Sequence, residues 1–262
     1  MTSRTPAPRP RKVDPAKVRA ALIAQWRAMA ATTAKLTPAQ LAAPSGLTGW
    51  STANLVGHMA ASIEAVPRWI ALPTPTGSPI TVEQWANGTS AHAAAISDVA
   101  DEMAEAGRTP ADYVDAAIAA METTADTKVV VTRIGPMRAA DMLVTRLVEG
   151  VVHSDDLERA TGEPFPHDRQ ALGTVVRALT DALAGRAPGH SVEVRVPPFA
   201  VVQCVTGPRH TRGVPPNVVE TDPKTWIRLA TGRLTWADAV ENGSVLASGE
   251  RSDLSGHLPL MG

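Results

Sequence analysis

Three side chains in this sequence have the types and spacing needed to hold one divalent metal ion: His58, Glu149 and His153. Glu149 and His153 stand four residues apart, which places an oxygen and a nitrogen on one helix face, pointing the same way. His58 comes from an earlier segment. Two imidazoles and one carboxylate form an open site, with a coordination position left for water, thiol or substrate. Nitrogen and carboxylate ligands suit zinc, with iron, nickel and manganese as alternatives. Taken alone, Glu-x-x-x-His also fits a solvated ion pair, and a lone histidine fits a hydrogen-bonded core position.

The segment that must position the pair, Arg138–Ala160, favours the metal reading. As a helix, it carries Leu143, Leu147 and Val151 on one stripe and Val144, Val148 and Val152 on a second. Met142, Arg146, Glu149, His153 and Asp156 fall on a third. A helix apolar on most sides is buried, so its polar stripe faces protein or an internal cavity. A buried carboxylate and imidazole cost several kcal/mol unless compensated, and a divalent ion compensates both. Asp156, three residues beyond His153, can orient that imidazole or stand as a surface carboxylate. Arg146 can neutralise Glu149 or meet an anionic substrate.

The rest of the first two-thirds also reads as helical. Asp14-Pro15 supplies an N-cap and a first-turn proline, and Val18, Leu22, Trp26 and Met29 then recur at helical spacing. Ala43–Trp50 is a loop. A helix starting at Ser51 bears Leu55, Val56, Met59, Ile63 and Val66 on its apolar face, with Ser51, Asn54, His58, Ala61 and Ala65 on a small or polar stripe. Pro73–Pro79 is a loop, helices are expected over Ser90–Ala106 and Pro110–Ala125, and Lys128–Ile134 reads as a short extended piece. The long helix stops at Gly162, and another spans Asp168–Gly185.

Beyond Gly185–Gly189 the period changes from helical to alternating. Ser191–Val196, Phe199–Val205, Asn217–Glu220 and Val245–Ser248 read as strands. Short helices are expected at Pro223–Thr231, Thr235–Glu241 and near Ser252–Leu258. The chain therefore divides into a weakly basic, disordered tail at residues 1–13, a helical domain at 14–187 and an α+β domain at 188–262.

Composition removes several function classes. Twenty-five basic residues balance 26 acidic ones, and residues 188–262 hold seven of each sign, so neither part has the basic excess of a nucleic-acid binder. No apolar run is long enough for a membrane span, and the first residues lack the apolar centre of a secretory signal. The single cysteine, Cys204, lies in an apolar run, reads as a buried inert thiol and fits a reducing cytoplasm. His92, His167, His190, His210 and His257 are assigned no role.

Two segments carry a family resemblance: Leu47–Met59, with Trp50-Ser51 before His58, and Arg146–Leu157, with Glu149 and His153. Together they resemble the mycothiol-dependent maleylpyruvate isomerase family over roughly residues 15–165. The resemblance implies a DinB-like four-helix metal-binding bundle in which His58, Glu149 and His153 hold zinc. Val196–Cys204, Gly207–Gly213 and Leu229–Trp236 resemble an actinobacterial sterol-carrier-protein-like domain, a small α+β fold that in such isomerases helps close the active site. The implied chemistry is a mycothiol thiolate, formed at zinc, that attacks a small electrophile for isomerisation or S-transfer. Arg209 and Arg212, between two glycines, are candidates for a substrate carboxylate or simply an exposed basic loop. Two other readings stay open: a sterol or lipid carrier with a structural helical half, and a hydrolase using metal-bound water.

Overall fold

The computed structural model describes residue 11, residues 13–208 and residues 215–261. Most of the expected N-terminal tail lies outside these residues, as do Arg209, Arg212 and His210. The described residues form two compact units, Asp14–Leu172 and the residues from Gly173 onward joined by Arg11 and Val13. The sequence reading draws its boundary after residue 187. The contact division instead falls within the first turns of a helix, so most of that helix groups with the α+β unit.

The first unit is helical. α1 (Pro15–Thr33) starts where Asp14 accepts the amide of Ala16 at 3.0 Å, with proline in its first turn. Val18, Leu22, Trp26 and Met29 form its buried face. α2 (Pro38–Ala42) is a single extra turn, closed by a reciprocal cap between Thr37 and Gln40. α3 (Thr52–Ala71) starts from the same kind of cap between Ser51 and Asn54 and buries Leu55, Val56, Met59, Ile63 and Val66. α4 (Val82–Gly88) follows, capped by Thr81 and Gln84.

The helix expected over Ser90–Ala106 is divided into a 3₁₀ turn at Ser90–His92 and α5 (Ala93–Glu105). Likewise a 3₁₀ turn at Pro110–Asp112 precedes α6 (Val114–Glu122). The extended piece is one arm of a hairpin, β1 (Val129–Val131) paired antiparallel with β2 (Pro136–Arg138). α7 (Ala139–Thr161) then runs for 23 residues and ends at Gly162, whose φ of +72° suits the left-handed helix stop.

α1, α7, α3 and α6 pack in a ring, each against the next, and α5 lies on the outer side of α3. The centre of this bundle is filled by Leu22, Trp26, Leu55, Met59, Ile63, Met142 and Leu147, all 2% exposed or less. Each such side chain contributes about 1.5–3 kcal/mol through burial. That packing fixes α3 and α7 as antiparallel neighbours, and the site is built on these two helices.

α8 (Arg169–Arg186) leads into the second unit. β3 (Val192–Val196) and β4 (Ala200–Cys204) form an antiparallel pair, and β5 (Val218–Thr221) lies parallel to β3 on its other side. β6 (Val245–Ser248) completes the order β4-β3-β5-β6. α9 (Pro223–Ala230) and α10 (Trp236–Glu241) lie between β5 and β6 in the chain. The alternation of β3 is buried-in and half-exposed-out, and its Val192, Val194 and Val196 join Trp226, Ile227 and Leu229 of α9 among the buried residues. The last expected helix is a single 3₁₀ turn, Ser255–His257. The protein is thus a helical bundle followed by a small α+β domain. No helix among the described residues is long and apolar enough to cross a membrane.

Candidate metal centre

His58 is held in place by the start of its own helix. The Ser51 hydroxyl accepts the amide of Asn54 at 3.2 Å, while the Asn54 side-chain oxygen accepts the amide of Ser51 at 2.9 Å. Asn54 also donates to Asp101 on α5 at 2.6 Å. The indole of Trp50 donates to Ser97 at 2.9 Å, and its ring sits 5.3 Å from the His58 ring. One residue before His58, Gly57 lies against α5, where a β-carbon would fall 2.6 Å from the carbonyl of Ala100. The Trp-Ser…Gly-His segment therefore fixes where α3 starts and how closely α5 approaches it.

Glu149 and His153 come from α7. The Nε2 atoms of His58 and His153 lie 3.0 and 3.3 Å from the same Glu149 oxygen, Oε2. The three ligand atoms fall within 4.8 Å of one another, and the two imidazole rings meet edge to face at 4.6 Å. These side chains are 12 to 15% exposed, so the cluster is reached from solvent but mostly dry.

The donor set fits a metal. Ligands bound at about 2.0–2.1 Å in a tetrahedral arrangement lie roughly 3.3 Å apart, close to the separations seen here. His153 turns its other nitrogen, Nδ1, to Asp156 Oδ2 at 3.0 Å. A proton on Nδ1 leaves the Nε2 lone pair facing the cluster, the tautomer a metal ligand needs. Asp156 is fully buried and accepts from Arg159 at 2.5 Å, so its charge is paired on the far side. Its carboxylate is thus buried and within hydrogen-bond distance of His153, not a surface group.

The electrostatics of the cluster match its crowding. Burial pushes the Glu149 carboxyl up, but hydrogen bonds with His153 and His58 and the charge of Arg146 outweigh it, holding the group well below the usual range. Burial lowers the pKa of His58. For His153, burial acts in the same direction, but the bonds to Asp156 and Glu149 reverse it and raise the pKa. The result is an ionised carboxylate between two imidazoles, ready to exchange shared protons for a cation.

A pocket of about 560 Å³, its open mouth included, adjoins the cluster and is lined by both His58 and Glu149. Ala61 and Ala65 on α3 leave the space, and Thr132–Ile134 of the hairpin turn form part of its wall. Arg146 also lines it, one turn before Glu149, and is 7% exposed. Rather than pairing with Glu149, Arg146 donates to the Ser62 and Thr145 hydroxyls at 3.1 and 3.3 Å. Sequence reasoning missed Ser62, Trp69 and Trp85, which surround that guanidinium. Ser62 continues the polar stripe of α3 and was legible in principle. Trp85 was not, because α4 has no apolar period. Cys204 is buried within β4, and burial raises its thiol pKa to about 12, as expected of an inert group. Arg209 and Arg212 lie outside the described residues.

Comparison with known families separates the two units. The family described as mycothiol maleylpyruvate isomerase N-terminal domain matches residues 22–158, and the family described as bacterial SCP ortholog matches residues 168–260. A crystal structure of the mycothiol-dependent maleylpyruvate isomerase is similar in fold, with a TM-score of 0.58 at 17% identity, over 92% of this chain and 95% of that one. A histidine-to-alanine mutant of that isomerase superposes with the same TM-score at 15% identity and the same coverage. No curated protein gives a significant sequence match.

Proposed function

The chain belongs to the family of the mycothiol maleylpyruvate isomerase N-terminal domain, and on that premise we propose that it is a zinc- and mycothiol-dependent enzyme, an isomerase or thiol S-transferase acting on a small electrophile. The observation that carries this reading is the convergence of His58, Glu149 and His153 at one edge of an open pocket. A solvated ion pair does not need two imidazoles on one carboxylate oxygen, nor a buried aspartate behind one of them.

In this reading His58, Glu149 and His153 hold the ion, and Asp156 keeps His153 in the tautomer that presents Nε2. When bound, zinc supplies a Lewis-acidic position that lowers the pKa of a thiol, so that thiolate exists at neutral pH. The protein supplies the rest. Trp50 buttresses His58, α3 and α7 keep the ligands at fixed spacing, and the apolar wall formed by Ile96, Val99 and Ile134 limits water at the reacting thiol. The one cysteine is buried, which fits a nucleophile brought in by a small-molecule thiol and a reducing cytoplasmic setting.

Calorimetric titration of mycothiol into the zinc-loaded protein and into His58→Ala tests the reading. One-to-one binding that is lost in the variant is the expected result. If the loaded protein ignores the thiol, the reading fails and a hydrolase using bound water takes its place.

A further inference from the structure

The two ligands on α7 are each followed by a residue that faces a different neighbour. Gly150 comes directly after Glu149 and Ser154 directly after His153, so this second pair is turned about 100° around the helix from the ligands. α1 packs against that side. Gln25 of α1 is fully buried, and its side-chain Nε2 donates to the Ser154 hydroxyl at 2.9 Å and reaches the Gly150 carbonyl at 3.4 Å. Ser154 in turn donates to the same carbonyl at 2.6 Å. Having no side chain, Gly150 lets α1 lie against the backbone of α7: a β-carbon there would meet Gln25 Cγ at 3.2 Å and Met29 Sδ at 3.4 Å. One nitrogen therefore holds the single turn of α7 that carries both ligands. For stability alone an apolar side chain would serve better. The Gln25 oxygen, Oε1, is buried and has no hydrogen-bond partner among the described residues, which opposes folding. A methionine of the same length would fill the space without that penalty, and Ser154 would keep its bond to Gly150.

We propose that Gln25 is a positioning residue of the metal centre: its amide fixes the rotation and height of α7 on α1, and so sets where Glu149 and His153 stand relative to His58. This deepens the functional reading and rests on the cluster binding a metal. Apolar contact between helices is non-directional and lets one helix turn or slide on the other. A hydrogen bond from one donor to two acceptors on the same turn resists both movements. A metal site tolerates little of either, because its ligands must keep within about 0.5 Å and 10–20° of their working places. His58 stands on α3, so its separation from the α7 pair depends on how α7 is seated in the bundle. Gln25 is not among the residues lining the pocket, and it acts through α7.

Gln25→Met and Ser154→Ala test this in the full-length protein, with Met29→Leu as a control that alters the packing of α1 beside Gly150 and leaves the amide alone. Zinc dissociation constants come from competition with a chromophoric chelator, and urea midpoints of the zinc-free proteins give their stability. Cobalt(II) replaces zinc in parallel samples, because the intensity of its visible bands reports how nearly tetrahedral the site is. Gln25→Met should weaken zinc binding about tenfold or more and dim the cobalt bands, while its urea midpoint stays unchanged or rises. Ser154→Ala should weaken binding in the same way, and the double variant should lose no more than Gln25→Met alone, since both changes break one bond. Met29→Leu should leave the affinity unchanged. Unchanged affinity in Gln25→Met overturns the proposal. So does a loss of affinity matched by a lower urea midpoint, or a variant that fails to fold, because either makes Gln25 a residue of the fold only. An equal loss in Met29→Leu also overturns it, by assigning the effect to packing. Wild-type protein that binds neither ion overturns the functional reading and the proposal with it, whereas metal binding that is indifferent to Gln25 overturns the proposal alone.

Discussion

His153 divides its two ring nitrogens between two carboxylates: Nε2 faces Glu149 at 3.3 Å, and Nδ1 faces the fully buried Asp156 at 3.0 Å. The two acceptors do different work. Glu149 belongs to the proposed ligand set, whereas Asp156 is placed to set the tautomer and the ring's orientation. Asp156→Asn keeps the shape but removes the charge and its partner interaction with Arg159. It should weaken zinc binding about 10–100-fold, the usual effect of losing such an acceptor. Competition against a chromophoric chelator measures this directly, and unchanged affinity would show that Asp156 is only a structural partner of Arg159.

Gly57 tests how tightly α5 must approach the helix that carries His58. Replacing glycine by alanine within a helix ordinarily stabilises by about 0.8–1.0 kcal/mol. Here the added carbon would lie 2.6 Å from the Ala100 carbonyl and 2.9 Å from the Ala104 amide nitrogen, both backbone atoms that cannot rotate away. Gly57→Ala should therefore destabilise by about 1–3 kcal/mol, the cost of overpacking. Urea unfolding gives the sign, and a stabilised variant would mean that α5 is free to shift.

Cys204 gives a prediction in the other unit. Its buried thiol is held neutral, with the pKa pushed up to about 12. The unfolded chain ionises this thiol near its ordinary value, so a folded pKa raised above it favours the native state less as pH rises. The contribution is fully present below about pH 8.5 and is lost progressively towards pH 12. At pH 8 the native protein should leave an aromatic disulfide reagent unreacted, and denaturant should release one thiol per chain. Rapid reaction of the native protein would place Cys204 at the surface.

The helical periods of α1, α3 and α7 announced themselves because each pairs a cap or stop signal with an apolar stripe. Asp14-Pro15, Ser51 and Gly162 stand within one residue of the observed ends. The alternating β3 was equally plain. The short helices α2 and α4 escaped because five or seven residues cannot show a period. Their caps, Thr37 with Gln40 and Thr81 with Gln84, were nonetheless present in the sequence. At the site, the spacing within α7 revealed Glu149, His153 and Asp156, but nothing local joined them to His58. That link came from the family resemblance and, in the structure, from the packing of α3 on α7. Of the surroundings of Arg146 only Ser62 was legible, from the polar stripe of α3, because Trp69 and Trp85 reach the guanidinium from different helices.

Metal analysis of the purified protein by plasma mass spectrometry shows whether His58, Glu149 and His153 hold zinc, with His58→Ala and Glu149→Gln measured in parallel. The expected result is one zinc per wild-type chain after exposure to zinc and removal of the excess, and a large loss in both variants while they remain folded. A folded wild type that retains no stoichiometric metal, or variants that retain the full amount, would contradict it.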